Sequence, residues 1–488
     1  MKEITALSAI AVAKKIKERQ VSVKEVLEAQ LATISEREAL YNSYITVMEE
    51  EALKQAISVQ EQIDKGVLID SPLAGVPIAI KDNIYIKGIR TTCGSKVLEN
   101  FVPSFDAAVI ERLKKAGAII IGKVNLDEFA MGGTTKTSYF GETKNPWNIS
   151  HTSGGSSGGS ASAVAAEEAF VSLGTDTGGS IRQPAAFCGL VGFKPTYGTV
   201  PSYGLIPFAL SLDQIGPLAR NISDAVAVLE VISGYDSRDF TSIRKKKYSY
   251  SQALVDDVKG MRIGVPKLYL EEDLDKDIRE CFLSQVKALE DMGAKVEVFE
   301  LEGIEYSAQI YYVIACAEAS WIFSKYKGVR PSHIKSEYHD LEEIFKNSKG
   351  QDFGYELKRR IMLGAYVISS DNYEIYYNKA RRIRRVIYNA YQEAFNRYDI
   401  LMSPESLKTA PLLSDNKVDD EKHRSEILNA SVNLAGGPGV TIPCGRDKKG
   451  LPIGIQLVGK RFGEEGIIRA AYALEQINPY KRPKTLCN

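Results

Sequence analysis

The chain has no surplus charge of either sign, with Lys plus Arg and Asp plus Glu each totalling 62. That balance gives no global attraction to a polyanion, although it leaves room for a local basic face. There is also no C-x-x-C pair and no dense cysteine framework. Cys93, Cys188, Cys281, Cys316, Cys444 and Cys487 are scattered singly, which predicts reduced thiols in a cytoplasmic setting and argues against a structural zinc or any other metal site. No run of 18 apolar residues occurs, so no membrane-spanning helix is expected. The short apolar stretch Ala9 to Ala13 runs into Lys14, Lys15 and Lys17 in helical order, unlike an export signal. Histidine, the usual base of a serine hydrolase, is scarce: only His151, His333, His339 and His423 are present.

What is present is an alternation of helix and strand. Val23, Val26, Leu27, Leu31 and Ile34 recur at helical spacing and predict amphipathic helices over the first 65 residues. From Leu73 the pattern changes to short apolar runs broken by glycine: Val76 to Ile80, Ala118 to Ile121 and Phe170 to Leu173 read as buried strands, with Ala107 to Ala116 as a helix between them. A second alternation follows: strand Arg262 to Val265, a helix marked by Ile278, Phe282, Val286 and Leu289, then strand Val296 to Phe299. Helices are expected over Ser307 to Lys325 and Tyr373 to Tyr398, and strands at Ile400 to Met402 and Gly439 to Ile442. Lys379, Arg381, Arg382, Arg384 and Arg385 read as a solvated helix face rather than a nucleic-acid contact. The fold class is α/β, a large mixed sheet covered by helices on both faces. We treat 1–488 as one unit, comprising N-terminal helices (1–65), a core (66–235), a helical and second α/β part (236–400) and a C-terminal part of the same sheet (401–488).

Between Thr152 and Ser180 the chain is unusually rich in glycine and serine. It reads Ser153-Gly154-Gly155-Ser156-Ser157-Gly158-Gly159-Ser160, then an alanine-rich helix, then Asp176-Thr177-Gly178-Gly179-Ser180. Such glycines let backbone N–H groups approach a ligand closely. Gly154-x-Ser156-x-Gly158 formally matches a nucleophile elbow, but the residues from Asn145 to Asn148 and the polar ones after them supply no preceding strand. Gly117 to Lys123 formally matches most of a phosphate-binding loop, yet its interior is a β-branched strand and Val124 stands where a magnesium-binding hydroxyl belongs. His151 is one candidate base near the glycine loop. Lys81, ending the apolar run Val76-Pro77-Ile78-Ala79-Ile80, is another, because burial can lower a lysine several units from about 10.4. The alternative for Lys81 is an exposed lysine paired with Asp82.

Gly75 to Asn83, Gly154 to Ser160 and Asp176 to Ala185 together resemble the amidase-signature family, in order and in spacing. The resemblance implies that Ser180 is the acyl-enzyme nucleophile, that Ser156, on a cis peptide, relays its proton, and that Lys81 accepts it. It places an oxyanion hole on the amides of Thr177, Gly178, Gly179 and Ser180, and a supporting ion pair between Asp176 and Arg182. Asn125 to Gly132, Gly192 to Gly198, Ser211 to Pro217, Ala317 to Ser320 and Lys358 to Gly364 extend the likeness toward the glutamine-hydrolysing branch of the family, over nearly the whole chain. That branch implies glutamine as substrate, with ammonia passed to a B subunit that amidates a charged tRNA using ATP and magnesium, and a C subunit bracing the pair. No cofactor is expected in this chain. Arg359 or Arg360 would hold the glutamine carboxylate, Tyr311 or Tyr312 would line the site, and Glu426, where the family has aspartate, would meet the ammonium. Lys136, Ser202 and Glu405 also depart from the family pattern, and Glu426, Lys136 and Ser202 sustain an alternative: a stand-alone amidase acting on another small carboxamide.

Overall fold

The computed structural model describes residues 2–244, 249–271, 273–324, 352–415 and 418–486, without the side chains of 2, 3 and 418–426. Its strands, in chain order, are β1 (Tyr44–Val47), β2 (Pro77–Lys81), β3 (Ile119–Val124), β4 (Lys144–Asn145), β5 (Asn148–Thr152), β6 (Val171–Asp176), β7 (Val191–Lys194), β8 (Gln214–Ala219), β9 (Arg262–Pro266), β10 (Lys295–Phe299), β11 (Ile400–Pro404), β12 (Gly439–Arg446) and β13 (Pro452–Gly459). Eleven of them form one mixed sheet in the order β1-β3-β2-β6-β8-β7-β12-β13-β11-β9-β10. This sheet therefore takes strands from every segment of the chain.

The N-terminal helices form for local reasons as well as tertiary ones. Helix Val23–Tyr41 opens on a capping box, in which Ser22 Oγ accepts from the Glu25 amide at 3.1 Å while Glu25 Oε2 accepts from the Ser22 amide at 2.7 Å. Its Val23, Val26, Leu27 and Ile34 are buried.

The register of β2 positions the chemistry. β2 runs parallel to β3 on one side and to β6 on the other, with Ile78 opposite Val171 and Ile80 opposite Leu173. Parallel neighbours end at the same edge, so the last residue of β2, Lys81, emerges beside Thr175 and Asp176 at the end of β6. The helix Gly158–Ala165 packs beneath that edge. It is short, buried on every side and made of glycine, serine, alanine and valine, small enough to lie against β2 and β6.

Three sequence expectations change. A strand, β5, does precede the glycine loop; it pairs with β4 in a separate two-stranded ribbon, where Asn145 Nδ2 donates to the Thr152 carbonyl at 3.1 Å, and three residues separate it from Ser156. β7, β8 and β13 are strands where none is expected from the sequence, although Ile453, Ile455 and Leu457 of β13 alternate with Gly454 and Gln456. Pro217 sits inside β8 opposite Leu173, a position that strand rules disfavour and the central sheet nevertheless accommodates. The helix expected over Tyr373 to Tyr398 begins with a π-helical turn, Tyr373–Asn378, before continuing as Lys379–Arg397. On it Arg381, Arg382 and Arg385 are exposed, whereas Arg384 is half-buried and donates to the Leu434 carbonyl and to Ser211. Lys325, expected to end helix Ser307–Ser324, lies outside the described residues.

The five described cysteines are free thiols, but the sequence does not show that those of Cys281 and Cys444 face each other. No helix among the described residues is long and apolar enough to cross a membrane. No group of three acidic, histidine or cysteine residues among them could hold a metal ion.

Candidate active site

Lys81 is fully buried, and its Nζ donates to Ser156 Oγ at 2.7 Å, Ser157 Oγ at 2.8 Å, Thr175 Oγ1 at 2.8 Å and the Thr175 carbonyl at 3.4 Å. All four partners are neutral oxygens. Burial brings the ammonium down to about 7, against the opposing pull of Cys93 and of the more distant Asp127, Asp213 and Asp176. The exposed Lys81–Asp82 pairing does not occur. Asp82 turns instead to Lys123, Nζ to Oδ1 at 2.8 Å with neither side chain exposed, and also accepts from the amide and hydroxyl of Thr92 at 2.7 and 2.5 Å. The lysine of the apparent phosphate-loop match is thus occupied in a buried ion pair.

The neighbours of Lys81 decide which of its contacts can carry a proton. Ser157 Oγ donates its own hydrogen to the Thr175 carbonyl at 3.1 Å, so toward Lys81 it can only accept. Asn83 Nδ2 donates to Thr175 Oγ1 at 3.1 Å, holding that hydroxyl in place. A neutral lysine has two N–H bonds and one lone pair. With the N–H bonds on Ser157 and Thr175, the lone pair is left for the hydroxyl of Ser156. Nothing in the sequence pattern singles out Ser157, Thr175 or Asn83; the available signal is their position as polar residues within buried, strand-edge segments.

Ser156 follows the cis peptide bond Gly155–Ser156, and it leads into helix Gly158–Ala165. Ser180 lies between β6 and helix Arg182–Cys188, is 8 % exposed, and opens onto a cavity of about 470 Å³. The two loops are joined where the Ser157 amide donates to the Ser180 carbonyl at 3.2 Å. The Asp176–Arg182 pair is present and bidentate, Nε to Oδ2 and Nη2 to Oδ1 both at 2.9 Å, with Asn433 Nδ2 adding a third donor at 3.0 Å. Burial alone would push the Asp176 carboxyl up, but the guanidinium, Lys194 and the Gly179 amide hold it below the usual carboxylate range.

Gly179 departs from the expected oxyanion hole. Its N–H is given to Asp176 Oδ1 at 2.8 Å, and it adopts φ +115°, a backbone region that favours glycine. The amides of Thr177, Gly178 and Ser180 have no acceptor among the described residues, so these three remain to receive a developing oxyanion. Asp213 steadies the same loop by accepting from Thr177 Oγ1 at 2.7 Å.

The expected substrate residues are not all brought together. Tyr311 lines the cavity against Gly178. Tyr312 instead stacks under Arg360 and Arg359, whose guanidinium carbons lie 5.2 and 5.5 Å from its ring centroid. Both arginines pair with Glu356, Arg360 at 2.6 Å and Arg359 at 2.8 Å, and neither is among the cavity-lining residues. Glu426 belongs to helix Val418–Ala435, and its side chain lies outside the described residues. His151 does line the cavity; burial lowers its pKa, and Nδ1 has no partner among the described residues. Lys136 donates to the Asp415 carbonyl at 3.3 Å, Ser202 binds Asp239, and Glu405 is fully buried against Asn429.

A family model described as Amidase matches residues 25–468. The chain is 53 % identical over 492 residues to the A subunit of glutamyl-tRNA(Gln) amidotransferase from Lachnoclostridium phytofermentans, covering 99 % of this chain and 100 % of that one. Among solved structures, the corresponding A subunit from Thermotoga maritima is 37 % identical with a TM-score of 0.77, over 95 % of this chain and 96 % of that one. The peptide amidase of Stenotrophomonas maltophilia is 29 % identical with a TM-score of 0.80, over 98 % of each chain.

Proposed function

The chain belongs to the amidase family, and from that membership we propose that it is the glutamine-hydrolysing A subunit of a glutamyl-tRNA(Gln) amidotransferase. The observation that carries the chemistry is a buried lysine amine 2.7 Å from Ser156 Oγ, at the strand edge that also presents Ser180 to the cavity.

As Ser180 Oγ attacks the carboxamide carbon, its proton passes to Ser156, and the proton of Ser156 passes to the Lys81 lone pair. The C–O bond forms and the carbonyl electrons move to oxygen, where the amides of Thr177, Gly178 and Ser180 receive the charge. Each such donor contributes about 3 kcal/mol. On collapse the C–N bond breaks, Lys81 returns its proton through Ser156 to the leaving nitrogen, and ammonia departs from the acyl-enzyme. Water then repeats the sequence in reverse and frees Ser180 and glutamate.

In this reading the ammonia goes to a B subunit that amidates charged tRNA with ATP and magnesium, a C subunit completes a heterotrimer, and the assembly is cytoplasmic. Full-length identity to named A subunits supports it. A stand-alone amidase for another small carboxamide is the second reading, favoured by Glu426, Lys136 and Ser202. The test is ammonia release from glutamine, asparagine and acetamide, with and without co-expressed B-type and C-type subunits. We expect glutamine to be preferred and the partners to raise its turnover. Glutamine turnover no better than acetamide, with no partner co-purifying, would replace the first reading by the second.

A further inference from the structure

Asn429 faces the cavity of Ser180 but has no part in the proton relay. It lies on helix Val418–Ala435, is 3 % exposed and lines the cavity wall. It packs against the nucleophile loop so closely that a Cβ on Gly179 would stand 2.8 Å from its Cβ and 2.9 Å from its Cγ. Its Nδ2 donates to two acceptors on one residue, the Glu405 carbonyl at 3.0 Å and Glu405 Oε1 at 2.9 Å. A backbone carbonyl can only accept, so this contact fixes which end of the amide is nitrogen, whatever the charge on Glu405. Asn429 Oδ1 is therefore turned away from Glu405, buried, and without a hydrogen-bond partner among the described residues. Buried amide oxygens are seldom left unmet, and an unmet acceptor in a substrate cavity selects for a ligand that brings the missing donor.

We propose that Asn429 Oδ1 accepts an N–H of the substrate and that Glu405 positions the amide for it, making Asn429 a specificity-determining residue and Glu405 a positioning residue. Glu405 suits this role because it is fully buried and reaches Asn429 through both its backbone and its side chain. The inference rests on Ser180 being the nucleophile of an amide hydrolase. It does not require that amide to be glutamine.

Three substrates separate the possible donors: glutamine, glutamate γ-methyl ester, which loses the scissile N–H but keeps the ammonium, and glutaramate, which keeps the carboxamide but lacks the ammonium. Asn429→Leu should lower kcat/KM roughly tenfold, the effect of one lost hydrogen bond, only on substrates carrying the recognised N–H. If that group is the scissile amide, glutamine and glutaramate fall and the ester does not. If it is the ammonium, glutamine and the ester fall and glutaramate does not. An equal fall on all three, or no fall, overturns the proposal. Asn429→Ala is assayed in the same way where leucine unfolds the protein. Glu405→Gln, which keeps both acceptors, should retain the wild-type preference, whereas Glu405→Leu, which keeps only the backbone acceptor, should weaken it; identical behaviour of the two removes the positioning role of the Glu405 side chain. Should the wild type reject glutamine but hydrolyse another amide, the same comparison is made on that amide and its methyl ester. The glutaminase reading then fails while the Asn429 inference is still decided.

Discussion

Asp82 gives its carboxylate to Lys123 rather than to the adjacent Lys81, with Nζ and Oδ1 2.8 Å apart and neither side chain exposed. This division of partners leaves Lys81 among hydroxyl and carbonyl oxygens, where losing its proton strands no counter-charge. Removing one member of a buried pair leaves the other uncompensated, so Lys123→Met should cost about 3–5 kcal/mol of stability. Urea unfolding would measure it, and adding Asp82→Asn to the same protein should recover part of the loss.

The pH dependence follows from Lys81 itself. Burial lowers its ammonium to about 7, and the relay needs the neutral amine, so kcat/KM should rise with pH through about 7 and then level. Lys81→Ala should lose several orders of magnitude, and Ser180→Ala should abolish turnover with the fold intact. His151→Ala should lose little, since the hydroxyl relay bypasses that residue. A full-strength rise through the same pH in the lysine variant would transfer the titration to another group.

Asp176 and Arg182 carry the nucleophile loop. Because the Asp176 carboxyl is held below its ordinary value, the stability it contributes is complete above about pH 4 and is lost as pH falls through the folded-state value. Asp176→Asn should be less stable than wild type at pH 7 by about 3–5 kcal/mol, since Arg182 stays buried without a counter-charge. That gap should narrow as the pH drops below about 4, read as denaturation midpoints across a pH series.

The residues proposed as the triad stand out in the sequence because three short segments carry them and the order of those segments resembles a known family. What surrounds Lys81 with neutral oxygens is not legible there. Ser157 and Thr175 reach it across the β2–β6 edge, with Asn83 holding the Thr175 hydroxyl, and only the parallel register brings them within hydrogen-bond distance. β8 is hidden by Gly216 and Pro217, which the sheet tolerates in a strand flanked on both sides. The Gly179 amide reads as available along the chain, whereas in the fold Asp176 accepts it. The pairing of Arg359 and Arg360 with Glu356, by contrast, runs within one helix at i,i+3 and i,i+4, a spacing the sequence does show.

Gly178 tests the oxyanion hole without altering any hydrogen-bonding side chain. A Cβ there would lie 2.7 and 2.8 Å from two atoms of the Tyr311 ring, closer than such atoms approach, so either the ring or the loop must move. The Gly178 amide is one of three in the nucleophile loop without an acceptor among the described residues, and its displacement withdraws a donor from the developing oxyanion. Gly178→Ala should therefore lower kcat by about 10²–10³ with a much smaller change in melting temperature. Tyr311→Ala should act mainly on KM, because it removes a cavity wall. Combining the two relieves the clash, so the double variant should recover much of the lost kcat, a coupling that independent sites would not show. Steady-state kinetics on the four proteins decides the matter: if the double variant is as slow as the two single effects multiplied, the Tyr311 ring is not what fixes the Gly178 amide.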